Sequence, residues 1–170
     1  LHPHQSAFRV PAQWVVPLPE ATRSATAILG ANMETALNAI WDARLRPGSR
    51  VLVVGAGLLG WLIVHALSCR SDLNVVVTDV RPETGALADD FLVKFADPAD
   101  VPGEGFDVAF HTSATGAGLQ KALDALDFEG RVIELSWYGD TPVQVDLGGN
   151  FHANRLQIVS SQVGHVATAR

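Results

Sequence analysis

The sequence predicts an α/β fold in which a parallel sheet is wound on both faces by helices. Three observations predict it. Short β-branched runs at Val51–Val54 and Val75–Thr78 alternate with helical patterns. The run at 51–54 leads directly into Gly55-Ala56-Gly57-Leu58-Leu59-Gly60 and then into Trp61–Leu67, an apolar stretch that reads as a buried helix. The second run closes on an acid, Asp79, 19 positions after Gly60.

Taken in order, residues 1–20 hold four prolines and a mixed polar pattern. Phe8-Arg9-Val10 and Trp14-Val15-Val16 are candidate short edge strands, their pairing limited by proline. His2 and His4 form an H-x-H pair with no third ligand nearby, so a metal is not expected there. From Thr22 to Ala43, Ala25, Ile28, Leu29, Met33, Ala36, Leu37, Ile40 and Trp41 recur at helical spacing. Arg46-Pro47-Gly48-Ser49 marks the turn into the first strand.

After Asp79, Arg81-Pro82-Glu83 suits a helix start, and Phe91-Leu92-Val93 reads as the third strand. Eleven residues between Asp79 and Phe91 leave room only for a very short helix, unless residues are missing from the crossover. Phe106–Phe110 is the fourth strand, with His111, Thr112 and Ser113 at its carboxyl end. A helix over Gly118–Asp127, a fifth strand over Gly130–Leu135 and a sixth over Leu156–Ser161 complete the pattern. Right-handed crossovers favour the strand order 3-2-1-4-5-6, the Rossmann fold: a doubly wound parallel six-stranded sheet with helices on both faces.

The G-x-G-x-x-G turn carries the chemistry. Gly55 permits a sharp turn, Gly57 lets a pyrophosphate approach the backbone, and Gly60 lets the helix pack close to the strand. The free N–H groups at the start of the helix, with its dipole, suit phosphate. Asp79 stands where a carboxylate would bind ribose hydroxyls. A glycine turn alone also ends strands for purely structural reasons, and Asp79 alone could be an N-cap; together they point to a dinucleotide.

The 170 residues carry a formal charge of −6, with 48% hydrophobic and 18% charged residues. This describes a packed globular domain, with no basic face for a nucleic acid and no anionic-membrane partner. No apolar run reaches the ~18 residues that span a bilayer. The single cysteine, Cys69, is expected to be a small buried apolar residue, and its solitude fits a cytoplasmic protein. The chain opens on Leu1 and its one methionine is Met33, so it is expected to be part of a longer protein.

Beyond single motifs, the chain resembles the medium-chain dehydrogenase/reductase superfamily, the relatives of zinc alcohol dehydrogenases. The resemblance rests on Val16-Pro17-Leu18-Pro19, Glu34-Thr35-Ala36-Leu37-Asn38-Ala39, the glycine turn, Thr78-Asp79-Val80-Arg81-Pro82, and Arg155-Leu156 through Gly164. It implies that residues 1–20 are the end of a GroES-like catalytic domain and residues 21–170 the cofactor domain. By the same resemblance, Thr35 lies near the nicotinamide. Gly55, Gly57, Leu58, Leu59 and Gly60 hold the pyrophosphate, and Asp79 the adenosine ribose. Ser113 lines the adenine side, and Ser136, Trp137, Ser160 and Ser161 face the nicotinamide half. Zinc-dependent members often carry a cysteine or glutamate four residues before the threonine; here that position is Ala31, so zinc is not claimed.

Asp79 favours NAD over NADP, because a 2′-phosphate there would meet like charge; Arg81 tempers this, since a guanidinium can pair with that phosphate. The implied reaction in a full-length parent is hydride transfer between the cofactor and a small alcohol or carbonyl substrate. No catalytic residue is assigned. His111 is the best local candidate for polar work, with a structural role favoured; His65, His152 and His165 are read as locally satisfied. The sixth strand is a candidate homodimer edge. Two other readings stay open. One is a non-catalytic NAD-sensing module. The other is an S-adenosylmethionine methyltransferase, disfavoured because its glycine motif does not require Gly60.

Overall fold

Six parallel strands in the order β3-β2-β1-β4-β5-β6 form one sheet. They are β1 Arg50–Val54, β2 Asn74–Thr78, β3 Lys94–Ala96, β4 Phe106–His111, β5 Leu126–Glu134 and β6 Gln157–Ser160. The structure is a computed structural model and describes residues 5–164. His2, His4 and His165 lie outside the described residues. The chain divides into two compact units, Leu1–Gly30 and Ala31–Arg170.

In the first unit, residues 12–14 form a single 3₁₀ turn and Ser24–Ala27 a one-turn helix, α1. The two edge strands expected around Phe8–Val10 and Trp14–Val16 do not form. Trp14 is instead drawn into the turn, its N–H donating to Pro11 O at 2.9 Å, and Pro11 and Pro17 have no N–H to offer a ladder.

In the second unit the sheet is covered on both faces. β1 lies at its middle, and Val51 through Val54 are all buried. Leu52 and Val54 pack in one cluster with Leu119, Ala122 and Leu123 of α4 (Gly116–Asp124). Val51 and Val53 point to the opposite face by strand alternation and are equally buried. Helix α2, Gly30–Ala43, buries Ala36, Asn38, Ala39 and Ala43, small residues that let it approach closely. Helix α3, Leu58–Ser68, buries six of its eleven residues, as its near-continuous apolar sequence requires. A short helix, α5 (Asn150–Ala153), precedes β6.

Three expectations are corrected. The third strand is Lys94–Ala96, not Phe91–Val93. Phe91 is an aromatic anchor, stacked on Trp61 at 5.8 Å and edge-on to His65 at 5.6 Å. Leu92 has φ +54° and is 93% exposed, a conformation that no strand residue adopts. The crossover before it is short by design: a 3₁₀ helix, Pro82–Leu87, replaces an α-helix. The helix expected over 118–127 spans Gly116–Asp124, because Leu126 already begins β5. Cys69 is exposed rather than buried, since it lies one residue past the end of α3.

Candidate functional site

The carboxyl ends of β1, β2 and β4 converge on one cleft of about 640 Å³, lined by Gly55, Gly57, Thr78, Asp79, Arg81 and Ser113 among others. This is where a doubly wound sheet places its ligands, at the point where strand order reverses. The volume falls within the roughly 300–1,000 Å³ of small-molecule sites.

The glycine turn forms one wall. Gly55 has φ +110°, and a Cβ there would lie 2.7 Å from Thr112 Oγ1 and 2.8 Å from Ser113 N. A Cβ at Gly60 would lie 2.0 Å from Gly55 O, so α3 meets the turn with no space for a methyl group. Gly57 is different: a Cβ there would meet nothing within 4 Å. Its backbone faces open space at the start of α3, and no side chain caps that helix. The orphan N–H groups of a helix's first turn are what an anion needs.

Asp79 closes the opposite wall, with a side chain only 7% exposed. The Ala56 N–H donates to its Oδ2 at 2.8 Å, which ties the end of β2 to the glycine turn. The Arg81 N–H donates to Oδ1 at 2.9 Å and the Arg81 guanidinium to the same atom at 3.2 Å. Burial pushes this carboxyl up, but those donors and the Arg81 charge hold it below its ordinary value, so it stays ionised. A second guanidinium N–H reaches Oδ2 at 3.5 Å, so four donors meet the two oxygens, and ribose hydroxyls would take the places of the guanidinium, whose side chain is 58% exposed. The neighbouring Thr78 Oγ1 is buried with no hydrogen-bond partner among the described residues, and it lines the same cleft.

Across the cleft, β4 and β5 carry a group that sequence reasoning saw only in part. His111 is fully buried and lies opposite Glu134 in the strand register. Its Nδ1 is 2.8 Å from Glu134 Oε2 and its Nε2 is 2.8 Å from Ser113 Oγ. The Ser136 N–H donates to Glu134 Oε1 at 2.7 Å, and the Tyr138 hydroxyl donates to Oε2 at 3.2 Å. Burial would raise the Glu134 carboxyl; the hydrogen bond and charge of His111, with Ser136, hold it down. Burial and that carboxylate push the Tyr138 phenol up to about 12.

The predicted residues therefore divide. Gly55, Gly57, Asp79, Arg81 and Ser113 line the one cleft. Leu58, Leu59 and Gly60 form the first turn of α3 beside it, with the Leu58 side chain exposed. Ser136 is occupied locally, its hydroxyl accepting the Ala114 N–H at 3.1 Å. Trp137 is 87% exposed and lines a separate depression with Tyr138, Thr141 and Val143. Thr35 stands apart on α2, its hydroxyl donating to Ala31 O at 3.2 Å. Three residues on from it, the buried Asn38 donates to Ser161 Oγ at 3.3 Å, joining α2 to the end of β6. Among the described residues no three His, Cys, Asp or Glu side chains cluster as metal ligands would.

No protein-family model matches the chain. The sequence is 24% identical to the (R,R)-butanediol dehydrogenase of Bacillus subtilis over 133 residues, covering 72% of this chain and 36% of that protein. The fold matches an alcohol dehydrogenase from Escherichia coli CFT073, solved in complex with NADH. The TM-score is 0.78 at 22% identity, covering 91% of this chain and 48% of that one. It also matches a candidate zinc-binding dehydrogenase from Sinorhizobium meliloti bound to NADP, with TM-score 0.67 at 19% identity, covering 76% and 42%. At such identities the structural likeness is one of fold. The neighbours are alcohol dehydrogenase-like oxidoreductases, as the sequence resemblance implied. The chain spans about a third of the length of the curated relatives it matches.

Proposed function

We propose that the cleft holds a nicotinamide dinucleotide, and that the chain is the cofactor domain of an alcohol dehydrogenase-like oxidoreductase. One observation carries this reading. The open backbone face at Gly57 and the ionised Asp79 line the same cleft, and the Ala56–Asp79 hydrogen bond fixes their separation. The first-turn amides of Leu58, Leu59 and Gly60 would hold the pyrophosphate, and Asp79 the adenosine ribose. Ser113 would border the base; Thr35, Ser136 and Trp137 would border the nicotinamide. The cofactor, when bound, supplies the hydride; these residues bind and orient it.

NAD is favoured over NADP. The Arg81 guanidinium is already engaged by Asp79, so a 2′-phosphate would meet that carboxylate at close range. The substrate proposed for the whole protein is a small alcohol or carbonyl compound. In that protein, residues 1–20 would close a catalytic domain, and β6 would offer its edge to a second copy. Among the described residues no set of side chains fits a zinc ion. The compartment proposed is the cytoplasm; no helix among the described residues is long and apolar enough to cross a membrane.

Titration with NADH and NADPH tests the assignment. NADH should bind more tightly, and Asp79→Ser should narrow the difference by weakening NADH. Equal affinity of the native chain for both would overturn the preference for NAD.

A further inference from the structure

A second cavity, of about 480 Å³, lies at the amino ends of β1, β4 and β6, the end of the sheet opposite the dinucleotide cleft. Its volume also falls within the roughly 300–1,000 Å³ of small-molecule sites. Arg131 enters it from β5, where it stands opposite Val108 of β4 and Gln157 of β6 in the strand register. Arg44 and Arg46 reach it from the turn that joins α2 to β1. Phe128, 64% exposed, and Pro47 give it an apolar surface.

The charge in this cavity is unbalanced. Among the described residues of the second unit, Arg50, Arg70, Arg81 and Arg155 each pair with a carboxylate. The other arginines there are Arg44, Arg46 and Arg131; they make no ion pair among the described residues, and all of them line this one cavity. The two acids in its wall are already taken, Asp107 by Arg50 at 2.7 Å and Glu129 by Arg155 at 3.0 Å. A chain of net charge −6 thus gathers its unpaired guanidiniums in a concavity, where charge of one sign focuses the field on an incoming anion. The backbone adds to this. Arg44 is the first residue past α2 and has φ +50°, a position that helices most often give to glycine. Arginine there forgoes backbone ease and places a guanidinium at the cavity.

We propose that this cavity binds a phosphate monoester with a small apolar body, at a site separate from the dinucleotide cleft. Guanidinium forks match phosphate oxygens two at a time. A phosphate monoester brings nearly two charges and three strong acceptor oxygens to the three arginines, where a lone carboxylate would bring one charge and two oxygens. The ring of Phe128 offers a face to the carbon skeleton. No residue of the glycine turn takes part, nor does Asp79 or Arg81, so this site stands or falls apart from the dinucleotide.

The test is calorimetric titration of the full chain with phenyl phosphate at low ionic strength. Binding should be saturable and one-to-one, and should weaken as salt rises. Inorganic phosphate, with no body to lay on Phe128, should bind at least about threefold more weakly. Arg131→Gln and Arg44→Gly should each weaken phenyl phosphate about tenfold or more. Glycine tolerates φ +50°, so Arg44→Gly should keep or raise the urea midpoint, and its loss of binding is then not a loss of fold. Both variants should bind NADH as the native chain does, and excess ADP-ribose should not displace phenyl phosphate. Native affinity for phenyl phosphate in both variants, or its displacement by ADP-ribose, would put the phosphate elsewhere and overturn the proposal. So would equal affinity for inorganic phosphate, or binding of polyglutamate in place of phenyl phosphate, which would make this face a dock for an acidic protein. A chain that binds phenyl phosphate in the expected pattern yet binds no NADH would uphold this site and overturn the dinucleotide reading alone.

Discussion

Two glycines three residues apart should respond to the same substitution in opposite ways. Gly60→Ala would put a methyl 2.0 Å from Gly55 O, a backbone atom that cannot rotate away. Relief requires α3 to move by about an ångström from a turn that Thr112 holds through its bond to Gly55 O at 2.9 Å. Overpacking of this kind costs about 1–3 kcal/mol, more when backbone is the obstacle. That is a large share of the ~5–15 kcal/mol of a typical domain. Gly57→Ala meets nothing within 4 Å, and its φ of −82° is open to any residue. Its effect on stability should stay within about 1 kcal/mol, as a weaker N-cap offsets a less flexible unfolded chain. Its methyl would nonetheless occupy the space where a pyrophosphate approaches the backbone. Urea unfolding followed by circular dichroism should therefore show Gly60→Ala destabilised and Gly57→Ala near native. NADH titration should show Gly57→Ala weakened at least about tenfold. Native affinity in Gly57→Ala would refute the cradle; native stability in Gly60→Ala would refute the close approach.

Other expectations follow from the ion pairs. Arg50 donates to Asp107 at 2.7 Å and pairs with Asp127, tying β1 to β4 and β5; the pairs are partly exposed, so Arg50→Met should cost about 1 kcal/mol or less in chemical denaturation, and less in high salt. The Glu134 and Asp107 carboxyls are both held below their ordinary values. Their contribution is complete above the unfolded-state pKa, roughly 4, and is lost as pH falls through the lower folded-state value. Stability measured against pH should decline on that acid limb, and Glu134→Gln should make the decline shallower. Gly118→Ala should disrupt the Ser113–His111 contact and weaken NADH, while leaving Asp79→Ser as damaging in the double variant as alone.

The parts of the fold carried by local pattern were legible in the sequence: β1, the glycine turn and α3 are consecutive, and each residue's type states its task. The third strand was not. Phe91-Leu92-Val93 has the composition of a strand, but Phe91 is claimed by Trp61 and His65, a pairing across 30 and 26 positions that no window reveals. An edge strand only three residues long, with an exposed Lys94, has too little alternation to stand out. The Glu134–His111 pair was hidden for a related reason. His111 stood out at a strand end, but its partner is fixed by strand register, and a slip of one residue would have turned Glu134 to the other face. Thr115 and Gly118 carried a faint signal, an N-cap threonine three residues before a glycine. Cys69 was misplaced by a single residue, which at a helix end separates a buried position from an exposed one.

The most direct test is a fluorescence titration of the native chain with NADH, followed by competition with ADP-ribose. The proposed site predicts saturable one-to-one binding that ADP-ribose displaces, because the glycine turn and Asp79 contact only the part of the dinucleotide the two ligands share. A folded chain that binds neither, or that binds NADH undisturbed by excess ADP-ribose, would contradict it.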